Sequence, residues 1–321
     1  MSLTRRQKWR IEKIQSERIA RTQRASNNSQ PIENNFSTER TGLVITRYGQ
    51  RLLVESDTGA LFQCTGRQNI ELSVAGDQVI FQPTSKDEGV VTALINRDNQ
   101  LKRANKLIAA NIDQLWLVVA TEPHYQFELI DRYLVVAENA GLPINIIVNK
   151  IELSKNYKQL EIDYAVYKSI GYEVVYLSVK EKTNLDKLRS ILDDKTHIFL
   201  GQSGVGKSSL INELIPELNL RVNEISIKSK LGKHTTTNTT LYHIPSGGDL
   251  VDSPGIREFQ LDNLKDSEIL NGFKEFKPFI GSCKFRNCVH LNEPECAIKN
   301  AIQSGEISQK RYQSYLSLIE H

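Results

Sequence analysis

The chain has no apolar run of the roughly 20 residues that a membrane-spanning helix requires. Its N-terminus also lacks the apolar core of a secretory signal. Cysteine is scarce, with 4 in 321 residues, which excludes the dense disulfide framework of small secreted proteins. The formal net charge is only +3, so a nucleic-acid partner must be argued from where the basic residues lie. We therefore expect a soluble, cytoplasmic protein with no membrane partner.

The chain is long enough for more than one hydrophobic core, and its 321 residues predict two or three domains. Residues 1–36 are rich in Arg and Lys and, in their later part, in Ser, Asn, Gln and Pro. Such a composition predicts a basic tail that is disordered when alone. Its charge fits a solvated arm and an arm that binds phosphates equally well.

Residues 37–98 contain five short runs of apolar and β-branched residues separated by turn sequences. The runs are 43–46, 52–55, 61–65, 78–81 and 90–94. Short strands with Gly and Asp turns predict a small five-stranded β-barrel such as an OB-fold, although other small barrels give the same pattern. OB-folds often bind nucleic acid, but a packing or spacer role stays open on fold alone.

Residues 99–265 begin with a polar linker, at 98–105, and after it they have the pattern of an α/β domain. Strands are predicted at 115–120, 144–148, 173–177 and 197–200, and helices at 127–139, 184–192 and 208–214. This alternation predicts parallel strands with crossover helices.

A glycine-rich loop lies between the last of these strands and the helix that follows it. It consists of Gly201, Gln202, Ser203, Gly204, Val205, Gly206, Lys207, Ser208 and Ser209. The pattern GxxxxGK[ST] between a strand and a helix is the phosphate-binding P-loop. Lys207 is expected to reach the β- and γ-phosphates and to serve catalysis, while Ser208 offers a Mg²⁺ ligand.

A second magnesium anchor is expected at Asp252, which ends an apolar run and begins the sequence Asp-Ser-Pro-Gly. The segment resembles the DxxG element of GTPases, in which the glycine, here Gly255, contacts the γ-phosphate. Alone, the sequence Asp-Ser-Pro-Gly also fits an ordinary turn. The P-loop upstream favours the nucleotide-binding interpretation.

The base-binding candidates are Asn149, Lys150, Ile151 and Glu152, which follow a predicted strand as the NKxD element of GTPases does. A carboxylate there accepts from guanine N1–H and the 2-amino group, whereas adenine offers no such pair of donors. Glu152 departs from the pattern because it replaces aspartate. The SAK element of GTPases, which supports guanine O6, is resembled by the tripeptide Ser178, Val179 and Lys180. By itself this tripeptide does not predict a nucleotide site.

The order of these motifs is unusual. In this chain the NKxD-like and SAK-like elements precede the P-loop, and the DxxG-like element follows it. Each motif still follows a strand, so the nucleotide pocket survives the rearrangement. The order therefore predicts a circularly permuted GTPase domain.

The segment between the P-loop and Asp252 is polar and contains a run of threonines. A switch threonine that coordinates Mg²⁺ is expected there, and Thr236 or Thr237 is the candidate. Ile256 stands where many GTPases have a water-orienting glutamine, which predicts slow intrinsic hydrolysis. His234 is a candidate hydrolytic residue because imidazole acts near neutral pH, although a solvated loop histidine is the simpler alternative.

Residues 266–321 contain a cluster of potential metal ligands. Cys283, Cys288, His290 and Cys296 form a Cys₃His set that suits one tetrahedral, structural Zn²⁺. Cys64 stands apart and is expected to be a buried apolar side chain. A helix is predicted at 301–319, and the surrounding basic residues fit an RNA-binding surface or a solvated basic face equally well.

In combination, these motifs resemble the RsgA (YjeQ) GTPases over residues 37–321. That resemblance implies an N-terminal OB-fold barrel, a circularly permuted P-loop GTPase domain and a mainly helical zinc module. It implies GTP and GDP as nucleotides, Zn²⁺ and Mg²⁺ as cofactors, and the small ribosomal subunit and its rRNA as partners. The implied activity is hydrolysis stimulated by the subunit and linked to release late in its maturation.

Two other functions remain possible from the residues, and the oligomeric state is a separate expectation. A passive RNA-binding or scaffold protein would use the nucleotide site to change shape without turnover. A metabolic P-loop kinase would use ATP and require an acceptor pocket, which the Asn149–Glu152 segment disfavours. We expect a monomer.

Overall fold

The structure is a computed structural model that describes residues 13–20, 22, 38–67, 70–103, 106–123, 126–216, 218, 238–252 and 264–319. Contacts group the chain into two compact units. The barrel unit comprises Met1–Ile112 and Ile215–Ile256, and the sheet unit comprises Asp113–Leu214 and Arg257–His321. The predicted division at 37–98, 99–265 and 266–321 stays a prediction. Within the described stretches, no helix is both long and apolar enough to cross a membrane.

Part of the basic tail is folded against the barrel. Residues 13–20 form helix α1, where the tail was expected to be disordered when alone. Arg18 anchors this helix by donating to the backbone carbonyl of Thr92 at 3.2 Å and by pairing with Glu39 at 3.8 Å. The order of this stretch therefore comes from contacts with the barrel, which tail composition alone does not reveal.

The five predicted strands of the barrel are present, each extended by a few residues. They are β1 (Arg40–Tyr48), β2 (Arg51–Ser56), β3 (Leu61–Gly66), β4 (Gln78–Pro83) and β5 (Glu88–Leu94). Pairing runs β1–β2–β3–β5–β4 and returns to β1, so the barrel closes. Alternate side chains such as Val54, Phe81 and Val91 fill its core. Cys64 is buried there, as expected, and burial raises the pKa of its thiol to about 12.

Two hairpins extend the barrel unit. The first consists of β6 (Gln100–Arg103) and β7 (Lys106–Ala110), so the prediction of a plain polar linker at 98–105 was wrong. Strand β6 is polar apart from Leu101, whose side chain is buried and only 2% exposed. The second hairpin consists of β12 (Thr240–His243) and β13 (Asp249–Asp252), and β12 pairs with β1 of the barrel.

The sheet unit contains four parallel strands in the order β10–β9–β8–β11. They are β8 (Gln114–Ala120), β9 (Ile144–Asn149), β10 (Val174–Tyr176) and β11 (Thr196–Leu200). The helices are α2 (Phe127–Asn139), α3 (Tyr157–Ser169), α4 (Leu185–Ile191) and α5 (Lys207–Leu214). All four strands and three of the helices match the predictions. Helix α3 was not predicted, because its buried face consists of Tyr164 and Tyr167 rather than a run of aliphatic residues.

The C-terminal part of the sheet unit packs on α2. It contains α6 (Asp266–Gly272), a 3₁₀ helix (Lys274–Phe279), α7 (Ala297–Gln303) and α8 (Gln309–Ile319). The single helix predicted at 301–319 is therefore two helices. Gly305, with φ 81°, lies in the turn that separates them. Val135 of α2 shares one core with Phe273, Phe276 and Tyr315 of this region.

Candidate functional site

The motif loops of the sheet unit all leave the same edge of the parallel sheet. Strand β9 ends at Asn149, β10 ends at Tyr176 and β11 ends at Leu200, so each ends just before or within one of the predicted nucleotide-binding segments. Strand β8, which lies beside β9 and β11, ends at Ala120. Carboxyl ends of parallel strands share one edge, which is where open α/β sheets bind their ligands. The topology therefore gathers the P-loop, the Asn149–Glu152 segment and Ser178–Lys180 at one place.

The P-loop depends on glycine at three positions with positive φ. Gly201, Gly204 and Gly206 have φ values of 133°, 84° and 95°. A Cβ on Gly201 would lie 2.2 Å from the carbonyl oxygen of Val118, and a Cβ on Gly206 would lie 2.3 Å from the side-chain nitrogen of Asn149. No L side chain fits such contacts, so the loop backbone packs directly on β8 and on the Asn149–Glu152 segment.

Lys207 begins helix α5 and is 9% exposed. Its ammonium donates to the carbonyl oxygens of Gly201, at 2.6 Å, and of Gln202. The side chain is thus folded back over the loop that is expected to hold phosphates. Ser208 and Ser209 are exposed in the first turn of the same helix, where N–H groups and the helix dipole favour anions.

Asn149 joins three of the predicted elements through one buried side chain. Its Nδ2 donates to the carbonyl of Val205 in the P-loop at 3.0 Å. Its Oδ1 accepts from the backbone N–H of Val179 at 3.4 Å. With Asn149 only 2% exposed, these bonds fix the Asn149–Glu152 segment, the P-loop and the Ser178–Lys180 turn relative to one another.

Lys150 adds a second clamp at the same edge. The residue has φ 59°, and its ammonium donates to the carbonyls of Gly204, at 2.7 Å, and Glu122, at 2.9 Å. The hydroxyl of Thr121 donates to the carbonyl of Lys150 at 2.6 Å. Lys150 therefore holds the P-loop and the loop after β8 together while its left-handed backbone redirects the chain toward Glu152.

Glu152 lies in a short 3₁₀ helix, Ile151–Leu153, directly after this turn. Its Oε2 atom is buried and finds no hydrogen-bond partner among the residues that the structure describes. A buried carboxylate oxygen without a donor is unfavourable unless a ligand supplies one. Guanine presents two adjacent donors, so the unpartnered oxygen fits the base-binding role expected for Glu152.

The four predicted metal ligands meet in one cluster. Nδ1 of His290 lies 3.5 Å from Sγ of Cys283, 3.5 Å from Sγ of Cys288 and 3.4 Å from Sγ of Cys296. Sγ of Cys283 and Sγ of Cys296 are 3.9 Å apart. Tetrahedral bonds of about 2.3 Å to sulfur and about 2.0 Å to nitrogen require edges of about 3.5–3.8 Å. The donor set and its spacing therefore fit a tetrahedral metal ion.

Residues beside the cluster hold its loop in place. The carboxylate of Glu293 accepts from the backbone N–H groups of Val289, Leu291 and Asn292, which flank the ligand His290. The hydroxyl of Tyr312 donates to the carbonyl of His290 at 2.7 Å. These bonds keep His290 at its unusual φ of 64° with Nδ1 facing the three sulfur atoms.

Comparisons with known proteins agree with this geometry. The sequence model of the RsgA GTPase family matches residues 94–262. The small ribosomal subunit biogenesis GTPase RsgA of Hahella chejuensis is 45% identical, over 99% of this chain and 95% of that protein. The corresponding protein of Marinobacter nauticus is 43% identical, over 99% of this chain and 95% of its own length. The chain belongs to the RsgA GTPase family.

Solved structures of similar proteins extend the agreement to the fold. The crystal structure of YjeQ from Thermotoga maritima has a TM-score of 0.74 at 31% identity, covering 88% of this chain and 98% of that one. The structure of YloQ, described as a circularly permuted GTPase, has a TM-score of 0.73 at 29% identity, covering 90% and 97%. The predicted fold class is confirmed, and this RsgA-family chain is a GTP hydrolase.

Several predicted site residues lie beyond what the structure describes. His234, Thr236, Thr237 and Gly255 fall outside the described residues, so their roles stay predictions. Asp252 is described as the last residue of β13, within the barrel unit.

Some contributors to the site were not predicted. Thr121 and Glu122 form hydrogen bonds with Lys150, although no motif includes either residue. Glu293 accepts hydrogen bonds within the loop of the Cys₃His cluster, between His290 and Cys296. The sequence signal for Glu293 is weak: it is a carboxylate that lies between His290 and Cys296, within the loop that the cluster closes.

Proposed function

We propose that this RsgA-family GTPase binds the small ribosomal subunit and its rRNA, and acts as a release or checkpoint switch late in subunit maturation. The observation that carries the proposal is the match to curated relatives named small ribosomal subunit biogenesis GTPase RsgA over 99% of the chain. A monomer in the cytoplasm, with GTP and GDP as nucleotides, is part of the same proposal. We also propose that the small subunit stimulates the hydrolysis of GTP.

The geometry of the sheet unit supports the nucleotide roles that we propose for its residues. The backbone of Gly201–Ser209 cradles the phosphates, with Lys207 at the β- and γ-phosphates, and Glu152 accepts from the guanine base. Asn149 and Lys150 keep these two parts in register, and Ser178–Lys180 supports the far side of the base.

Two metal ions complete the proposal. Mg²⁺ is assigned to Ser208, Asp252 and Thr236, where it would neutralise phosphate charge that develops during hydrolysis. One Zn²⁺ is assigned to Cys283, Cys288, His290 and Cys296, whose four donors leave no open position for water. The zinc role is therefore structural, and the hydrolytic role stays with the nucleotide site, where His234 is the candidate residue.

Turnover of GTP by the full chain, with and without purified small ribosomal subunits, tests the proposal. We expect the subunits to raise turnover at low salt, and we expect Lys207→Ala to lower it by at least about 100-fold, because a cation at the transferring phosphoryl group is lost. Lys187→Ala removes an exposed lysine of α4 and is the matched control.

Three outcomes would contradict the proposal. Turnover that small subunits leave unchanged at every salt concentration overturns the assigned activator. Wild-type turnover already at the Lys207→Ala level favours a passive RNA-binding protein. Competition by ATP as effective as competition by GTP favours a kinase-like nucleotide site.

A further inference from the structure

The loop that follows β8 begins beside the turn that leads to Glu152. Strand β8 runs parallel to β9 with Ala120 in register with Asn149, so residues 121–123 leave the sheet next to the end of β9. The backbone N–H of Thr121 donates to the carbonyl of Asn149 at 3.2 Å, which adds one bond beyond the paired strands. This bond brings the Thr121 side chain to the point where β9 ends and the turn begins.

The carbonyl of Lys150 is the acceptor on which this turn is built. It accepts from the backbone N–H of Leu153 at 2.9 Å, and that bond closes the 3₁₀ turn that contains Glu152. It also accepts from the hydroxyl of Thr121 at 2.6 Å. A carbonyl oxygen has two lone pairs, so both bonds form at once and together they fix the direction of the carbonyl. Thr121 therefore holds the first carbonyl of the turn that carries Glu152.

The backbone of Lys150 needs this support because it lies in the left-handed region, with φ 59° and ψ 37°. Residues that carry a side chain adopt this conformation rarely, and it persists where the surrounding contacts enforce it. Two bonds in opposite directions join Lys150 to the loop after β8: the Thr121 hydroxyl donates to the Lys150 carbonyl, and the Lys150 ammonium donates to the carbonyl of Glu122. Loss of the hydroxyl frees the carbonyl to rotate, and the chain reaches Glu152 two residues later.

The orientation of the turn matters because the acceptor on Glu152 is buried. Its Oε2 atom has no hydrogen-bond partner in the part of the chain that the structure describes. In the proposed function the Glu152 carboxylate accepts from guanine, whose N1–H and 2-amino groups are adjacent donors. Hydrogen bonds weaken steeply when the donor and the acceptor are misaligned. A small rotation of the turn would therefore weaken the bonds to the base, whereas the phosphates are assigned to a different element, the P-loop.

We propose that Thr121 is a positioning residue for guanine selectivity, because its hydroxyl orients the Lys150 carbonyl and, through the 3₁₀ turn, the carboxylate of Glu152. This inference rests on the proposed function, since it takes Glu152 as the acceptor for the guanine base. The hydrogen bonds of Thr121 are to the backbone of Asn149 and Lys150, so its effect reaches the base through Glu152.

The test compares GDP with inosine diphosphate, which lacks the 2-amino group but keeps the ribose and both phosphates. Each nucleotide competes with fluorescent N-methylanthraniloyl-GDP for the full chain, and the preference for GDP over inosine diphosphate reports recognition of the 2-amino group. Thr121→Val keeps the shape of the side chain but removes the hydroxyl. We expect it to lower GDP affinity about 5- to 10-fold and the preference for GDP about 3- to 5-fold. A general loss of folded protein would lower both affinities equally and leave the preference unchanged.

Thr121→Ser keeps the hydroxyl and should restore both values to within about 2-fold of wild type. Thr196→Val is the matched control, because Thr196 is also half-buried but begins β11, at the opposite edge of the parallel sheet, and it should leave both values within about 2-fold of wild type.

A second variant keeps the test decisive if Thr121→Val folds poorly. Thr121→Ala removes the same hydroxyl without filling its space, and the same loss of preference for GDP is expected. The inference is overturned if Glu152→Gln lowers the preference for GDP while Thr121→Val and Thr121→Ala leave it at the wild-type value. If Glu152→Gln also leaves it unchanged, the assignment of Glu152 in the proposed function fails, and the inference fails with it.

Discussion

At the scale of single residues, Glu152 is the position where this chain departs from the NKxD pattern, and its geometry supports the proposal that the longer side chain accepts from the guanine base. The backbone turns at Lys150, whose φ is 59°, and Glu152 follows in a 3₁₀ helix. Its buried Oε2 has no donor in the part of the chain that the structure describes. Glutamate therefore still presents an acceptor, at a position set by the turn rather than by the shorter aspartate side chain.

Substitution of Glu152 tests this role directly. Glu152→Gln removes the charge and replaces one acceptor by a donor that faces the donors of guanine. Because hydrogen bonds to charged groups contribute about 1.5–3 kcal/mol, we expect GDP affinity to fall about 10- to 100-fold. Fluorescent GDP titration measures the change. Glu161→Gln, the same substitution at an exposed position of α3, should leave the affinity within about 2-fold of wild type. Equal affinities for the two variants would remove Glu152 from the base site.

At the scale of secondary-structure elements, the strongest predictions from sequence were those in which the chemistry is local. The P-loop could be predicted because Gly201, Gly206 and Lys207 lie close together in the sequence, in one short loop. The structure shows why glycine is required there. The same holds for the metal cluster, whose four ligands span 14 residues from Cys283 to Cys296.

The elements that were missed depend on distant contacts. Helix α3 is buried through Tyr164 and Tyr167, and the polar strand β6 of the β6–β7 hairpin is buried through Leu101, so neither shows the usual apolar periodicity. The link between Asn149 and Val205 joins residues 56 positions apart, and Glu55 and His243 are 188 apart. Such pairings follow from the assembled sheet, which no local pattern encodes.

The metal loop is the element whose stability should depend most on a single bound ion. Cys288→Ser removes one of the four ligands of the proposed structural zinc site, and structural zinc sites contribute folding free energy directly. We expect the variant to lose its zinc and the amides of residues 283–296 to exchange rapidly with solvent. Metal analysis and hydrogen exchange measure the two effects. Cys64→Ser changes a cysteine that lies outside the cluster and should retain zinc. A Cys288→Ser protein with full zinc content and unchanged protection would show that the cluster does not hold the metal.

At the scale of the whole sheet unit, one buried arginine connects the C-terminal region that carries the Cys₃His cluster to the parallel sheet. Arg311 of α8 is 1% exposed and donates to Asp131 of α2 at 2.5 Å and to Glu275 at 2.6 Å. The hydroxyl of Tyr167 in α3 donates to the same Asp131 oxygen at 2.7 Å. Helix α2 packs on β8 and β9, so this network connects the C-terminal helices to the strand β9 that leads into the Asn149–Glu152 segment.

The network predicts that the metal loop and the nucleotide edge unfold together, and that Arg311→Met uncouples them. Removing one partner of a buried ion pair leaves an uncompensated charge, here on Asp131 and Glu275, and costs about 3–5 kcal/mol. Urea unfolding measures the loss. Hydrogen exchange should show that residues 283–296 and 144–149 open at one free energy in wild type and at two in Arg311→Met. Lys310→Met changes the neighbouring charge, whose side chain is 62% exposed, and should cost less than about 0.5 kcal/mol. Coincident opening of both segments in Arg311→Met would mean that the shared apolar core of Val135, Phe273 and Tyr315 is sufficient to couple them.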